Sequence, residues 1–369
     1  MLKLIAEILL FLAVIGQMKG QSTDWPVFRG QSDLSGKYKT ELPDDPQLLW
    51  STSTGGRTKS SPVISEGCIY FGNDKGYLFA VGTDGKIKWK YEAGSPIETP
   101  PIIFGGKVIF GSDDGILRAV DKKTGRFTWS YKTENKIVGS ANVWSSGNKS
   151  GIVVGSYDYF LHCVNAESGN PLWKLETENF VNGTPAILNG KIVFGGCDGM
   201  MRVVDPVTGK QLYTIEIGVY IAASPALSDE SAFFGDYDGN IYCVNLKSRK
   251  VTWKVPAGEG DGAILAIPAL GSNVIVIGSE DKYLYCYNAK DGKLIWKFRS
   301  NGGITGSAVI SSSRVLSAGS DGIVNIIRLS DGKKEWSFNA GTSVSSSPAV
   351  TKDHFYILTE DGRLLAFSE

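Results

Sequence analysis

The cysteine and histidine side chains are the residues of this chain best suited to nucleophilic, redox or metal chemistry. Five cysteines and two histidines occur among the 369 residues: Cys68, Cys163, Cys197, Cys243, Cys286, His162 and His354. No two cysteines are adjacent, and the sequence contains no Cys-x-x-Cys-His haem motif. The histidines fall in different segments, so the spacing predicts neither a zinc cluster nor a Ser-His pair.

The cysteine positions follow an internal repeat and not a disulfide pattern. Cys163, Cys243 and Cys286 each stand ten residues before an aromatic residue. Ala119 and Val203 fill the same slot elsewhere. Equivalent positions in separate repeats lie farther apart than the roughly 7 Å between Cα atoms that a disulfide allows. We therefore expect small, buried core cysteines and free thiols.

The repeat itself has a period of about 40 residues, which is typical of β-propeller blades with four strands each. Each unit closes on an aromatic residue, and these are Trp50, Trp89, Trp129, Trp173, Tyr213, Trp253, Trp296 and Trp336. Each unit opens on a Ser-Pro, Thr-Pro or related pair, such as Ser61-Pro62 and Thr99-Pro100. Proline is tolerated at the first residue of a strand, so these pairs mark the innermost strands.

The two ends of the chain predict how the ring closes. The last unit ends after three strands, whereas Leu48 to Trp50 form an extra strand before the first unit. Pairing this strand with residues 364–367 removes an open sheet edge. The predicted fold is all-β: an eight-bladed propeller of four-stranded antiparallel blades over residues 48–369, closed by the N-terminal strand and preceded by a leader at 21–47.

The N-terminus differs in composition from the rest of the chain. Lys3 precedes the apolar run Leu9 to Ile15, and small or polar residues follow up to Gly20. This order predicts a secretory signal peptide over residues 1–20, with an uncleaved anchor as the alternative. No cysteine precedes Cys68 to carry a lipid. We expect a soluble periplasmic or secreted protein without a stable membrane span after signal cleavage.

The charge balance restricts the class of partner. Lysine plus arginine and aspartate plus glutamate number 38 each, so the formal net charge is zero. The sequence therefore lacks the basic footprint of a nucleic-acid-binding protein. We expect another exported or envelope protein as the partner.

Two motifs carry a resemblance to a known family. Residues 119–129 read Ala-x-Asp-x-x-Thr-Gly-x-x-x-Trp, and residues 24–30 read Asp-Trp-Pro-x-Phe-Arg-Gly. They resemble the tryptophan-docking repeat of pyrroloquinoline-quinone-type propellers and the leader that often precedes it. The chain is also similar to the non-catalytic propeller of the outer-membrane β-barrel assembly machinery. The resemblance implies that the eight closing aromatics dock between blades.

The same resemblance indicates which residues a quinone cofactor would require. Quinone dehydrogenases of this type typically carry adjacent cysteines, a calcium site of Glu, Asn and Asp, and longer inserted loops. This sequence has no adjacent cysteines and devotes nearly all its length to blades. We therefore expect no catalytic residue, no metal and no cofactor, and keep pyrroloquinoline quinone with calcium as the alternative.

A binding surface is expected where the loops between consecutive blades crowd around the axis. The residue before each opening pair lies closest to the channel, and all of these are small except Glu98. The candidate mouth residues are Arg57, Lys59, Glu98, Lys136, Asn182, Tyr220, Asp261 and Arg299. The predicted function is an exported, non-catalytic scaffold that binds protein in the cell envelope. The alternative is a quinone-dependent dehydrogenase or a small-ligand sensor that binds in the channel.

Overall fold

The computed structural model describes residues 24–221, 223–258 and 262–369. The regular structure of these residues is entirely β, arranged as eight separate four-stranded sheets. Every pairing between neighbouring strands is antiparallel, as for β2 (Val63–Ser65) with β3 (Cys68–Gly72). The predicted eight-bladed propeller is confirmed. The predicted signal peptide at 1–20 and the candidate Asp261 lie outside the described residues.

The strands follow the chain from the inner to the outer edge of each blade. Before the first blade comes β1 (Gln47–Ser53). Blades one to four comprise β2 to β5 (Val63–Ser65, Cys68–Gly72, Tyr77–Gly82, Ile87–Glu92), β6 to β9 (Ile102–Phe104, Lys107–Phe110, Ile116–Asp121, Phe127–Lys132), β10 to β13 (Asn142–Ser146, Lys149–Gly155, Phe160–Asn165, Pro171–Glu176) and β14 to β17 (Ala186–Leu188, Lys191–Gly195, Met200–Val204, Gln211–Glu216).

The second half repeats this order. Blades five to eight comprise β18 to β21 (Ala226–Ser228, Ser231–Gly235, Asn240–Asn245, Lys250–Pro256), β22 to β25 (Ala269–Leu270, Val274–Gly278, Tyr283–Asn288, Leu294–Arg299), β26 to β29 (Val309–Ile310, Arg314–Ala318, Ile323–Arg328, Lys334–Asn339) and β30 to β32 (Ala349–Val350, Phe355–Leu358, Arg363–Ser368). The eighth blade is completed by β1, which pairs with β32.

The position of a strand within its blade determines its burial pattern. The second and third strands, such as β3 and β4, are buried on nearly every residue because neighbouring blades cover both faces. The outer strand β5 alternates between exposed and half-buried residues. β-Branched and aromatic residues suit such packed, pleated surfaces. The core therefore forms a series of layers between blades, with no single centre.

Ring closure follows the predicted register. Leu48 lies opposite Phe367, Trp50 opposite Ala366 and Thr52 opposite Leu364, with a β-bulge between Leu48 and Trp50. The first and last strands of the chain therefore share one sheet, and the eighth blade has no missing strand.

The closing aromatics join each blade to the next. The indole N–H groups of four tryptophans donate to backbone carbonyls 33 residues further along the chain; these are Trp50, Trp89, Trp173 and Trp296. Among the described residues the indole N–H of Trp129 has no acceptor, but the ring packs on Gly169 of the next blade. A Cβ at Gly169 would lie 2.5 Å from that indole. The turn glycine therefore provides the space that the aromatic side chain fills.

The two departures from the repeat contact each other. Tyr213 replaces tryptophan in blade four, and its hydroxyl donates to the Leu246 carbonyl at 2.7 Å. Arg249 replaces the turn glycine of blade five, adopts a left-handed φ of 58° and places its guanidinium 4.3 Å from the centre of the Tyr213 ring. A cation–π contact thus takes the place of the indole–glycine contact.

The leader is part of the same folded unit, and we call residues 24–38 the strap. Its backbone carbonyls accept hydrogen bonds from successive inner strands around the ring. The donors, in chain order, are Ile64, Ile103, Ile187, Leu227, Leu270 and Ile310. The Asn142 side chain of blade three also donates to the Ser32 carbonyl at 2.8 Å. The strap therefore contacts blades one to seven and crosses one end of the axis.

Arg29 of the strap is buried beneath this crossing, with 1% of its surface exposed. Its guanidinium donates to the carbonyls of Ala308, Pro268 and Leu34. Burial lowers the pKa of Arg29 to about 9, opposed by the charge of Asp33. The side chain is therefore still a cation at neutral pH and links the strap to blades six and seven.

We predict that Trp129→Ala lowers the free energy of unfolding by about 3 to 5 kcal/mol, the range for buried aromatic truncations. Tyr213→Trp should change it little, because Arg249 can lie over an indole as it lies over the phenol ring. Denaturant unfolding of both variants checks this. Equal, negligible shifts would show that the aromatics do not hold the blades together.

We also predict that Arg29→Met destabilises the protein by at least about 2 kcal/mol, because it leaves buried carbonyls without donors. The exposed strap substitution Lys37→Met is the matched control and should leave the thermal midpoint unchanged. If Arg29→Met unfolds at the wild-type midpoint, the guanidinium does not hold the strap.

Candidate functional site

The mouth of the propeller is the end opposite the strap, where two sets of segments meet. One set is the loops from each outer strand to the next inner strand, and the other is the turns between second and third strands. Backbone hydrogen bonds join them, for example Asp74 N–H to the Arg57 carbonyl at 2.9 Å and Glu280 N–H to the Ala263 carbonyl at 3.2 Å. The turns are therefore held against the axis-facing loops.

The axis at the mouth is lined by closely packed small residues. A Cβ on Gly139 would lie 2.7 Å from the Gly183 carbonyl oxygen, and one on Gly306 would lie 2.6 Å from that of Ser346. The opening hydroxyls also bridge consecutive blades: Thr184 N–H donates to Ser224 Oγ at 2.6 Å. The predicted ring of small residues thus brings neighbouring backbones together around the axis.

One side of the mouth, at blades eight, one and two, carries paired charges. Arg57 lies 3.6 Å from Glu360, and Lys59 lies 3.4 Å from Glu98. With Asp74 they line a shallow cavity of about 210 Å³. Burial, followed by repulsion from Glu98, raises the pKa of nearby Asp113. The structure therefore brings three predicted candidates together, Arg57, Lys59 and Glu98, as two ion pairs.

The other side, at blades three to five, is aromatic. Tyr157 and Phe180 stack with ring centres 4.5 Å apart, and Tyr159 lies 5.3 Å from Phe180. The ammonium group of Lys136 lies 4.9 Å from the centre of the Tyr157 ring. Tyr220 is 60% exposed and Tyr237 50% exposed. We call Tyr157, Tyr159, Phe180, Tyr220 and Tyr237 the aromatic cluster.

Tyr220, Tyr237, Glu216 and Asp238 line a cavity of about 540 Å³ between blades four and five. Of the predicted candidates, Tyr220 belongs to this groove and Lys136 lies beside the aromatic cluster. Asn182 is half-buried and Arg299 is exposed, and they join neither group.

The sequence analysis did not single out Tyr157, Tyr159 or Tyr237. Tyr157 and Tyr237 each precede an aspartate in a turn between second and third strands, and Tyr159 follows one. Aligning the turns between second and third strands of all blades would have identified these three tyrosines from the sequence.

In blades two, three and four the Asp of this turn has an internal partner four residues along. Asp114 pairs with Arg118 at 2.6 Å, and Asp198 pairs with Arg202 at 2.7 Å. In blade three the partner is His162, whose Nε2 lies 3.0 Å from Asp158. The described residues contain no group of three or more His, Cys, Asp or Glu side chains arranged to hold a metal ion. These turn carboxylates have a structural role.

His162 is buried between two polar groups. Its Nδ1 lies 3.0 Å from the Tyr131 hydroxyl, on the side of the ring opposite Asp158. Burial lowers the pKa of His162, although Asp158 opposes this effect. Burial also acts on Asp158, but hydrogen bonds from the Glu134 N–H and from His162 outweigh it and lower the pKa of that carboxyl. A neutral imidazole therefore faces a carboxylate at pH 7.

All five cysteines are free. Burial raises the pKa of the Cys163 and Cys286 thiols to about 12. Neither thiol is therefore a thiolate at neutral pH.

Eight four-stranded blades, inter-blade aromatic docking and a closing N-terminal strand define a PQQ-like repeat β-propeller. A family model described as outer membrane protein assembly factor BamB matches residues 42–155, 139–263 and 237–369, and the chain belongs to this family. No curated protein sequence matches the chain.

Solved structures of several propellers resemble this one. BamB from Moraxella catarrhalis is 17% identical, with a TM-score of 0.75 over 88% of this chain and 100% of that chain. A europium-containing methanol dehydrogenase is 12% identical, with a TM-score of 0.80 over 94% of this chain and 98% of that one. Quinohemoprotein alcohol dehydrogenase from Comamonas testosteroni is 13% identical, with a TM-score of 0.80 over 94% and 80%. These likenesses show the fold alone.

The described part of the chain contains no helix that is long and apolar enough to cross a membrane.

We predict that the protein loses stability as the pH falls through 6.5, the usual pKa of histidine. Because the pKa of His162 is lowered in the folded state, the unfolded chain binds more protons below that pH. His162→Arg, which copies Arg118 and Arg202 of the flanking blades, should make this dependence shallower. Urea unfolding between about pH 7 and pH 5 measures it, and identical slopes in both proteins would contradict the assignment to His162.

Proposed function

We propose that this protein is an exported, non-catalytic propeller that binds another protein of the cell envelope at its mouth. The observation that carries the proposal is the aromatic cluster, in which Tyr159, Tyr220 and Tyr237 are exposed, because exposed aromatic side chains are typical anchors of protein interfaces. The stacked pair Tyr157 and Phe180 is already ordered. Binding there immobilises few additional rotatable bonds.

The family supports this proposal at a coarser level. A BamB-like propeller is a scaffold suited to protein binding. Because the strap crosses one end of the axis, the mouth is the end that is available to a partner. Export follows from the predicted signal peptide at 1–20, and location in the periplasm is consistent with the family. A periplasmic protein with this surface would bind a partner without chemical turnover.

The residues at the axis do not fit a calcium-bound quinone. Glu98 is the one carboxylate among the small residues of the ring, and it pairs with Lys59. Calcium takes six to eight oxygen ligands, several of them from carboxylate and amide side chains. The neighbouring positions Gly139 and Gly183 supply backbone alone. This donor set supports binding of protein over quinone-dependent oxidation.

We predict that Tyr220→Ala weakens capture of the partner from an envelope extract by about tenfold, as for a moderate interface anchor. Glu98→Lys should weaken it if the contact extends across the axis. Both variants should keep the wild-type thermal midpoint, because neither side chain is part of the core.

Phe127→Ala is the matched control, since Phe127 is exposed on β9 near the opposite end of blade two. It should leave capture unchanged. Capture that is equally strong for all variants would place the interface elsewhere. Dye-linked oxidation of alcohols or sugars after incubation with pyrroloquinoline quinone and calcium, lost in Glu98→Gln, would replace the proposal with the enzyme.

A further inference from the structure

The mouth carries carboxylates that have no hydrogen-bond or ion-pair partner among the described residues. They follow outer strands, lie in loops or occupy turns of blades two to six, and we call them the acidic arc. Its members are Glu134, Glu176, Glu178, Glu216, Asp238 and Glu280. All six are exposed. Within the described part of the chain, none of their carboxylates forms a hydrogen bond or an ion pair.

At the mouth of blades three to five, the described cations are already engaged. Arg202 pairs with Asp198 at 2.7 Å. Three lysines lie over aromatic rings: Lys136 over Tyr157, Lys174 over Phe160 and Lys254 over Tyr242. The side of the mouth with Arg57 and Lys59 differs, because there each cation has an acidic partner. None of the six carboxylates of the arc is therefore balanced by a direct ion pair, although the whole chain has a net charge of zero.

The acidic arc coincides with the aromatic cluster. In the groove of about 540 Å³, Glu216 and Asp238 lie beside the two exposed rings of Tyr220 and Tyr237. Aromatic faces beside carboxylates suit a guanidinium or an ammonium group, which binds both by cation–π attraction and by charge-assisted hydrogen bonds. The protein makes the first kind of contact itself, with Arg249 over Tyr213 at 4.3 Å.

The geometry points to a segment of polypeptide rich in arginine and lysine as the occupant of this groove, lying along the arc across blades three to five. This inference rests on the proposed function and names the chemistry of the partner. Charge complementarity selects this occupant, because an acidic segment or a nucleic acid would be repelled by the six carboxylates. The arc also speeds encounter with a cationic segment, most strongly at low salt.

Fluorescence anisotropy with a labelled oligo-arginine peptide tests the inference on the folded protein. The peptide should bind at about 50 mM salt and more weakly at about 300 mM, where screening is stronger. A matched oligo-glutamate peptide should not bind. Tyr220→Ala with Tyr237→Ala, which leaves the charge unchanged, should weaken binding about tenfold, and Glu216→Gln with Asp238→Asn should do the same.

The control pair Asp229→Asn with Glu230→Gln makes the same charge change on blade five at the strap end. It should leave peptide affinity at the wild-type value. Equal losses in the control and groove pairs, or no loss in the tyrosine pair, would show nonspecific charge attraction and overturn the inference.

Capture from the envelope extract separates this result from the proposed function. Suppose that a partner is captured through Tyr220, and that its capture neither depends on salt nor is inhibited by oligo-arginine. This result would overturn the inference that the partner presents a cationic segment, but it would support the protein-binding function. Oligo-arginine bound in the groove, with no envelope protein displaced by it, would overturn the proposed function. Displacement of a captured envelope protein by oligo-arginine supports both.

Discussion

The docking of each blade's closing aromatic onto the next blade is the contact on which the other features of this propeller depend. A single four-stranded blade buries little of its own apolar surface, so its second and third strands need a neighbour on each face. The aromatic side chain fixes the spacing of that neighbour by packing against it and, in most blades, by donating an indole or phenol hydrogen bond to a backbone carbonyl. Because the contact recurs around the ring, each loop at the mouth is held at a defined distance from the next. The loops at the mouth are positioned by the blades beneath them.

The sequence predicted the fold well because the fold is repetitive. Trp129 and its equivalents recur at nearly constant intervals, and the unpaired strand at Leu48 matched an incomplete last unit. Because the same pattern recurs in eight units, a departure in one unit does not obscure the repeat. The relation between Tyr213 and Arg249 was not predicted, since the two residues lie in different units and each departs from a different motif position. It becomes visible only when the ring places one blade's aromatic on the next blade's turn.

The candidate site was predicted in part, for a related physical reason. Reasoning from the position before each opening pair found Glu98, and the wider set of candidate loop residues included Lys136 and Tyr220, but nothing in the sequence divided them into groups. The sorting into paired charges on one side and free carboxylates with aromatic rings on the other depends on which turns face which loops. Which turn faces which loop is determined by tertiary contacts and cannot be read from one loop position. The strap was also beyond prediction, because Arg29 reaches carbonyls more than two hundred residues away.

The strap has a consequence for how the chain acquires its structure. It is synthesised before every strand that it binds, yet its carbonyls need donors from Ile64 through to Ile310. Its full set of hydrogen bonds can therefore form only after blades one to seven exist. Open repeat arrays gain stability unit by unit as the chain lengthens. Here the N-terminal strand pairs with the last strand, and the strap contacts blades one to seven. Because these contacts join residues far apart in the sequence, we expect slow, all-or-none folding. A truncated chain would lack both the completed eighth blade and a closed site for the strap.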